Sequence, residues 1–334
     1  MKPAAMDAVA ADLVRALRGA RSQSEFSRRL GYRSNIAHRW ESGRCWPTAA
    51  DFLRACQQSR PALARCFERF FQRKPEWFDA RDPFSVQNIA AFLRDLQGKA
   101  PLVELARRSG HNRYSVGRWL RGDAQPKLPE FLGLIEAASR RLLDFIATLT
   151  DPSRMATISD RWQKLERARA VAYERPWSHA VLRALELDGY KSCKGRGERW
   201  IADRLGIEDA EVEQALELLA ATGQVVKTSG KWRLDQPLSV DTSRDARRSR
   251  ELKGAWASVA VARLRAGAPG NYGFSLFSVS RADLRRMRDV HLEYVRAMQS
   301  LIAGSAPGQC VGLYCAQMLD LSRVDNALES PPSE

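Results

Sequence analysis

The chain has 334 residues, 44% of them hydrophobic, with 54 Lys+Arg against 39 Asp+Glu and a formal charge of +15. That length predicts several domains, and that apolar content excludes a chain disordered throughout. There is no run of 18 apolar residues to cross a membrane and no signal-peptide pattern in MKPAAMDAVAADLVRAL, so the chain is expected to be cytoplasmic without a membrane partner.

The charge is unevenly spread. Residues 1–150 hold 26 Lys+Arg and 15 Asp+Glu, against 28 and 24 in residues 151–334. Most basic residues of the first half are arginines, whose planar fork suits phosphates and guanine edges. Charge alone leaves nucleic acid, an acidic protein or a merely soluble surface open.

That basic half contains an internal repeat at an offset of 79 residues. FSRRLGYRSNIAHRWESGRCWP (26–47) lies over LARRSGHNRYSVGRWLRGDAQP (105–126), with Arg28/Arg107, Arg29/Arg108, Gly31/Gly110, Arg39/Arg118, Trp40/Trp119, Gly43/Gly122 and Pro47/Pro126 identical. Phe52/Phe131 and Leu53/Leu132 extend the match forward, and Leu17/Leu96 extends it backward. Each copy reads as four helices. In the first, Val9, Leu13 and Leu17 space a helix over 7–19. Ser22 and Glu25 form a capping-box pattern for a second, ending at the turn residue Gly31. A third covers 34–42, with Ile36 and Trp40 on its inner face, and a fourth covers 48–57. Helix, glycine turn and short helix make a helix-turn-helix.

These residues resemble the lambda-repressor-like (Cro/XRE type) DNA-binding domain, over about 8–58 and again over 88–137. The resemblance implies that the third helix enters the major groove with its N-terminal residues at base edges. Ser34, Asn35 and His38 then fall at base-reading positions, flanked by Arg33 and Arg39. In the second copy those positions are Arg113, Tyr114 and Gly117, flanked by Asn112, Arg118 and Arg121. Gln23 matches a phosphate-holding residue, and Leu102 replaces it in the second copy. Arg28, Arg29, Arg107 and Arg108 are expected on the face that crosses the backbone, where phosphate contact is favoured over a merely solvated surface. Trp40 and Trp119 are expected in the core. For His38, a solvated surface role stands beside base contact.

Between the copies, Pro61–Gln72 reads as a helix with Leu63, Cys66, Phe67 and Phe70 on one face, and Arg73–Phe84 as a linker. Helix is expected to continue through 138–150, and again over 158–173. Residues 177–236 read as three helices and a hairpin, a winged helix whose third helix is acidic: Glu208, Asp209, Glu211, Glu213 and Glu217 lie in a stretch without Lys or Arg from 207 to 226. Phosphates would repel it, which points to a protein-interaction or structural module. Lys227, Lys231 and Arg233 on the wing keep a DNA contact open there. Further on, YGFSLFSVS (272–280), an amphipathic helix (281–303) and QCVGLYCAQML (309–319) predict a small strand–helix–strand α/β unit. The helix carries Leu284, Met287, His291, Tyr294, Met298 and Leu301 on one stripe, a surface suited to a second copy.

The order winged helix, long helix, strand–helix–strand is similar to a family of predicted bacterial transcriptional regulators with a C-terminal domain of unknown function. The likeness covers about 155–320, with PWSHAVLRAL and the YGFSLFSVS–RADL junction as its best local matches.

The expected architecture is therefore mainly α. Two helix-turn-helix domains (1–80 and 81–152) precede a connector helix and winged helix (153–240) and a dimerising or sensing unit (241–334). The expected partners are double-stranded DNA and a second copy of the chain, with an unidentified effector or protein partner left open. The expected activity is sequence-specific DNA binding in transcriptional regulation. The alternative is an interaction adaptor or nucleoid-type protein whose DNA binding is lost or non-specific. No spacing of Ser, His, Asp, Cys or Glu suggests catalysis, a cofactor or a metal.

Overall fold

The computed structural model describes residues 3–59, 63–71, 73–75, 77–78, 81–235, 240–305 and 307–322. It is mainly helical, with one two-stranded antiparallel sheet among the described residues.

The first copy comprises α1 (Pro3–Arg18), α2 (Gln23–Arg29), α3 (Ile36–Glu41), α4 (Ala49–Ser59) and α5 (Leu63–Phe71). The second comprises α6 (Val86–Gln97), α7 (Leu102–Ser109), α8 (Arg113–Arg121), α9 (Leu128–Ser139) and α10 (Leu142–Leu149). The fifth helices sit at equivalent positions, so the repeat extends beyond the four helices legible in sequence. Pro61 and Gln72, the expected ends of α5, lie outside the described residues. The expected continuous helix over 138–150 is instead broken at Arg140, which adopts φ 54°. There the Ser139 hydroxyl donates to the Ile135 carbonyl at 2.7 Å and accepts the Arg141 N–H at 3.1 Å, supplying partners that the interrupted helix lacks.

Both copies share one apolar core that runs from Met6 to Leu165. α9 lies at its centre, with Leu128, Phe131, Leu132, Leu134 and Ile135 all buried, and both α1 and α6 pack on it. Helix α11 (Ser159–Glu174) leads out of this core through Trp162 and Leu165.

A second core is built from α12 (Trp177–Ala184), α13 (Asp188–Ser192), α14 (Gly197–Leu205), α15 (Asp209–Ala221) and the hairpin β1 (Val225–Thr228) and β2 (Lys231–Leu234). The strands pair Val225 with Leu234 and Thr228 with Lys231. Ser229 and Gly230, at φ 50° and 76°, make the tight turn. Positive φ at both central residues matches the right-handed twist of the strands.

Helix α16 (Ala246–Arg265) follows, with Trp256 edge-on to Trp177 at 5.3 Å and Arg263 donating to the Leu205 carbonyl at 2.5 Å. Helix α17 (Arg281–Gly304) forms as expected, but the strands predicted on either side of it do not. Residues 271–280 are exposed throughout, and neither 272–280 nor 309–319 forms a strand among the described residues. Alternation describes a strand's two faces but supplies no ladder partner; within one chain neither segment has one. Chain from this region does return to the second core: Gly308 accepts from the Asp188 N–H at 3.0 Å and Val311 packs there.

Candidate nucleic-acid interface

The α2–turn–α3 corner of the first copy is held by short polar links. Ser22 caps α2 by accepting the Glu25 N–H at 3.1 Å. Gly31 takes φ 85° in the turn, a conformation that a side chain would strain. Asn35 caps α3 by accepting the His38 N–H at 3.2 Å. Buried Ser27 on α2 accepts the Ala37 N–H at 3.0 Å, which fixes the second helix to the third.

A buried carboxylate fastens the base of this corner. Glu41 is 6% exposed and accepts from Arg18 Nε at 2.5 Å and from Gln23 Nε2 at 2.7 Å. The amide nitrogen of Gln23, expected to hold a phosphate, is thus turned inward to α3. In the second copy Gln97, Leu102 and Leu120 occupy the three equivalent positions. The ion-paired tie of the first copy therefore has no counterpart in the second, where Leu102 and Leu120 stand in place of Gln23 and Glu41.

Outward from this frame stand Arg28, Arg33, Ser34, Asn35, His38 and Arg39, all exposed. Arg28, Arg33 and Arg39 have no carboxylate partner among the described residues, whereas Arg29 donates to the Gln58 carbonyl at 2.9 Å. The structure adds Arg44, exposed just past α3, whose N–H returns to the Arg39 carbonyl at 3.0 Å. Its counterpart in the second copy is Asp123, a charge reversal visible once the repeat is aligned.

The second copy presents a similar corner in which three arginines are paired. Arg107 and Arg108 both pair with Glu104, at 2.6 and 2.7 Å. Hydrogen bonds from these two arginines hold the Glu104 carboxyl down to about 2. Arg121 pairs with Asp123 at 2.9 Å, and the Arg118 guanidinium lies 5.9 Å from the Tyr114 ring centre. Asn112 caps α8 through the Ser115 N–H at 2.7 Å. Arg113 and Tyr114 remain outward, Tyr114 at 72% exposure, while Gly117 is buried and offers no side chain. Trp40 and Trp119 are buried, as expected.

The unit of α12 to α15 and the hairpin, with one more helix than the three expected, offers phosphates little. Lys227 pairs with Glu198 at 3.2 Å and lies over the Trp232 ring, and Lys231 donates to the Lys191 and Cys193 carbonyls. Between α14, α15 and the hairpin is a cleft of about 370 Å³ whose lining includes Glu198, Glu213 and Glu217. Among the described residues no helix is long and apolar enough to cross a membrane, and no group of three or more His, Cys, Asp or Glu is placed to hold a metal ion.

The fold defines a mainly helical protein with a small antiparallel hairpin and two internal five-helix copies. Residues 158–318 match the model of a family described as a domain of unknown function (DUF4423). The match takes in α11 through α17 and excludes both five-helix copies. No curated protein matches the chain, and no solved structure does.

Proposed function

We propose that this protein is a sequence-specific double-stranded-DNA-binding transcriptional regulator, with the first copy acting as a helix-turn-helix that places α3 in the major groove. The reading rests chiefly on one observation: Arg28 on α2, Arg33 and Arg39 before and within α3, and Arg44 just past it stand exposed and unpaired, with His38 exposed on α3. Unpaired arginines on one face make an electrostatic footprint for phosphates, and His38 and Ser34 offer hydrogen bonds to base edges. The role is binding, with no catalytic step. The winged-helix-like unit, with acidic α15, serves protein contact in this reading.

Selection of bound duplexes from a random pool by the full chain tests it. One enriched word or more is expected, and an unenriched pool contradicts it. Within that word, His38→Ala is expected to relax preference at one base pair by about 1–3 kcal/mol. Arg28→Ala is expected to weaken all sequences alike and to reduce the salt slope by about 1. If Arg28→Ala leaves both affinity and slope unchanged, α2 does not cross the backbone.

A homodimer is part of the proposal. Of the nineteen large hydrophobic residues exposed among the described residues, sixteen lie between Val261 and Leu321. They include Phe274 at 93%, Leu276 at 78% and Leu301 at 75%. An apolar surface of that extent on a soluble chain marks an association site, and a second copy brings two more extended segments for those that lack a ladder partner. Sedimentation of the full chain at micromolar concentration is expected to give twice the chain mass. A strict monomer at high micromolar concentration contradicts this part.

The protein-interaction adaptor keeps one specific observation in its favour, namely that Glu104 neutralises Arg107 and Arg108 in the second copy. Equal affinity for all duplexes would select it.

A further inference from the structure

The two copies meet at equivalent residues. Thr48 and Lys127, 79 positions apart and so the same place in each copy, form an antiparallel bridge. The Ala49 N–H donates to the Pro126 carbonyl at 2.9 Å, and the Leu128 N–H donates to the Pro47 carbonyl at 2.9 Å. Each bond becomes the other when the copies are exchanged. An antiparallel bridge between identical positions has a local two-fold axis, because only a half-turn lays one strand on its oppositely running twin. A head-to-tail repeat would oppose unlike positions.

The fifth helices also meet each other across the copies. α5 packs on α10, with the Phe70 and Phe145 rings 5.3 Å apart. Cys66, the counterpart of Phe145, donates to the Thr148 carbonyl at 3.1 Å, beside Leu149, the counterpart of Phe70. Away from this seam the symmetry loosens, since α1 packs across onto α9 more extensively than α6 does onto α4. The bridge begins seven residues beyond α3 and six beyond α8 in chain order, and both copies share one core. In each copy the third helix packs on the first and second helices of its own copy, and the bridge joins the chain just beyond the two third helices.

We propose that one chain is a built-in pseudo-dimer, which reads two unlike half-sites set in inverted orientation on a single stretch of duplex. This rests on the DNA-binding reading above. Inversion follows from the two-fold seam, because operator symmetry mirrors protein symmetry. Unlikeness follows from the side chains: Ser34, Asn35 and His38 face outward in one copy, Arg113 and Tyr114 in the other. For both helices to reach one face of the duplex, the half-site centres should lie about one helical turn apart, roughly 10 base pairs.

The test starts from duplexes selected by the unmodified full-length chain from a random pool. Two different words in inverted arrangement are expected, with His38→Ala relaxing only one and Tyr114→Ala only the other. Turning the second word around in place, base composition unchanged, is expected to lower affinity at least tenfold. A turned site bound equally well, or a single enriched word, overturns the pseudo-dimer while leaving specific DNA binding intact. A pool without enrichment overturns both. A second arm locks the seam. Thr48 and Lys127 form a non-hydrogen-bonded pair, for which the usual Cα separation of about 4.5 Å lies within disulfide reach. The Thr48→Cys/Lys127→Cys chain, oxidised beside a wild-type control, is expected to keep its affinity for the inverted site within about twofold. Loss of binding on closing that bridge, restored by reductant, overturns the proposal.

Discussion

Replacing Phe92 with alanine is expected to cost about 3–5 kcal/mol of stability, the usual range for emptying a buried aromatic site. Phe92 on α6 is 1% exposed. Its ring centre lies 5.4, 5.5 and 5.7 Å from those of Phe67, Phe71 and Trp77, and 5.3 and 5.9 Å from those of Phe131 and Phe145. The first three rings follow the first copy's α4 in sequence, and the last two belong to the second copy. Truncation therefore removes edge-to-face contacts on both sides, and the packed rings leave little freedom to collapse into the space. Because the core of the two copies is continuous, denaturant unfolding followed by tryptophan fluorescence and far-ultraviolet dichroism should show both copies melting together, at lower denaturant, whatever the second core does. Loss of less than about 1 kcal/mol, or separate melting of the second copy, would contradict a shared core.

Arg169→Ala is expected to have an effect of similar size for a different reason. Arg169 on α11 is 4% exposed. Its Nη2 donates to Asp144 on α10 at 2.8 Å and its Nε to the Asp241 carbonyl at 2.8 Å, and its Nη1 pairs with Glu166. Arg141 pairs with the Asp241 carboxylate, and Arg244 adds a bond to Glu166 at 3.2 Å. Burial pushes the Asp144 carboxyl up to about 6, with Arg169 opposing that rise. Among the described residues its buried Oδ2 has no hydrogen-bond partner. Removing the guanidinium leaves this buried carboxylate with Arg244, 4.0 Å away, as its remaining ion-pair partner, and breaking a buried pair in that way costs about 3–5 kcal/mol. The Asp144→Leu/Arg169→Met chain should recover most of the loss, since two apolar groups leave neither charge unpaired. If the double variant is as unstable as Arg169→Ala, the buried charge left behind is not the cause.

Much of the helical frame was legible because its signals are local. Ser22 caps α2 where the Ser–x–x–Glu pattern placed it, Gly31 and Gly110 take the turn, and Ser229-Gly230 closes the hairpin. Shared apolar spacing and two tryptophans identified the copies. Both fifth helices were legible as helices, but their equivalence was not, because Leu63/Leu142 is their one identical pair and leaves only a shared apolar character. The candidate face was only partly legible. Exposure of Arg28 and His38 followed from helical phase, but the inward turn of Gln23 depends on Glu41, eighteen residues away. The pairing of Arg107 and Arg108 with Glu104 was within reach of i,i+3 and i,i+4 spacing. The strand–helix–strand unit was misjudged because alternation gives a strand its faces without supplying a neighbour.

The central claim, that the first copy grips a particular duplex, is tested most directly by a competition titration of the full chain near 0.15 M salt. A labelled duplex carrying the selected word is displaced by unlabelled duplex, with the word either intact or scrambled. The account predicts a preference for the intact word of about a thousandfold or more, with affinity falling steeply as salt rises. Equal displacement by the two competitors would contradict it.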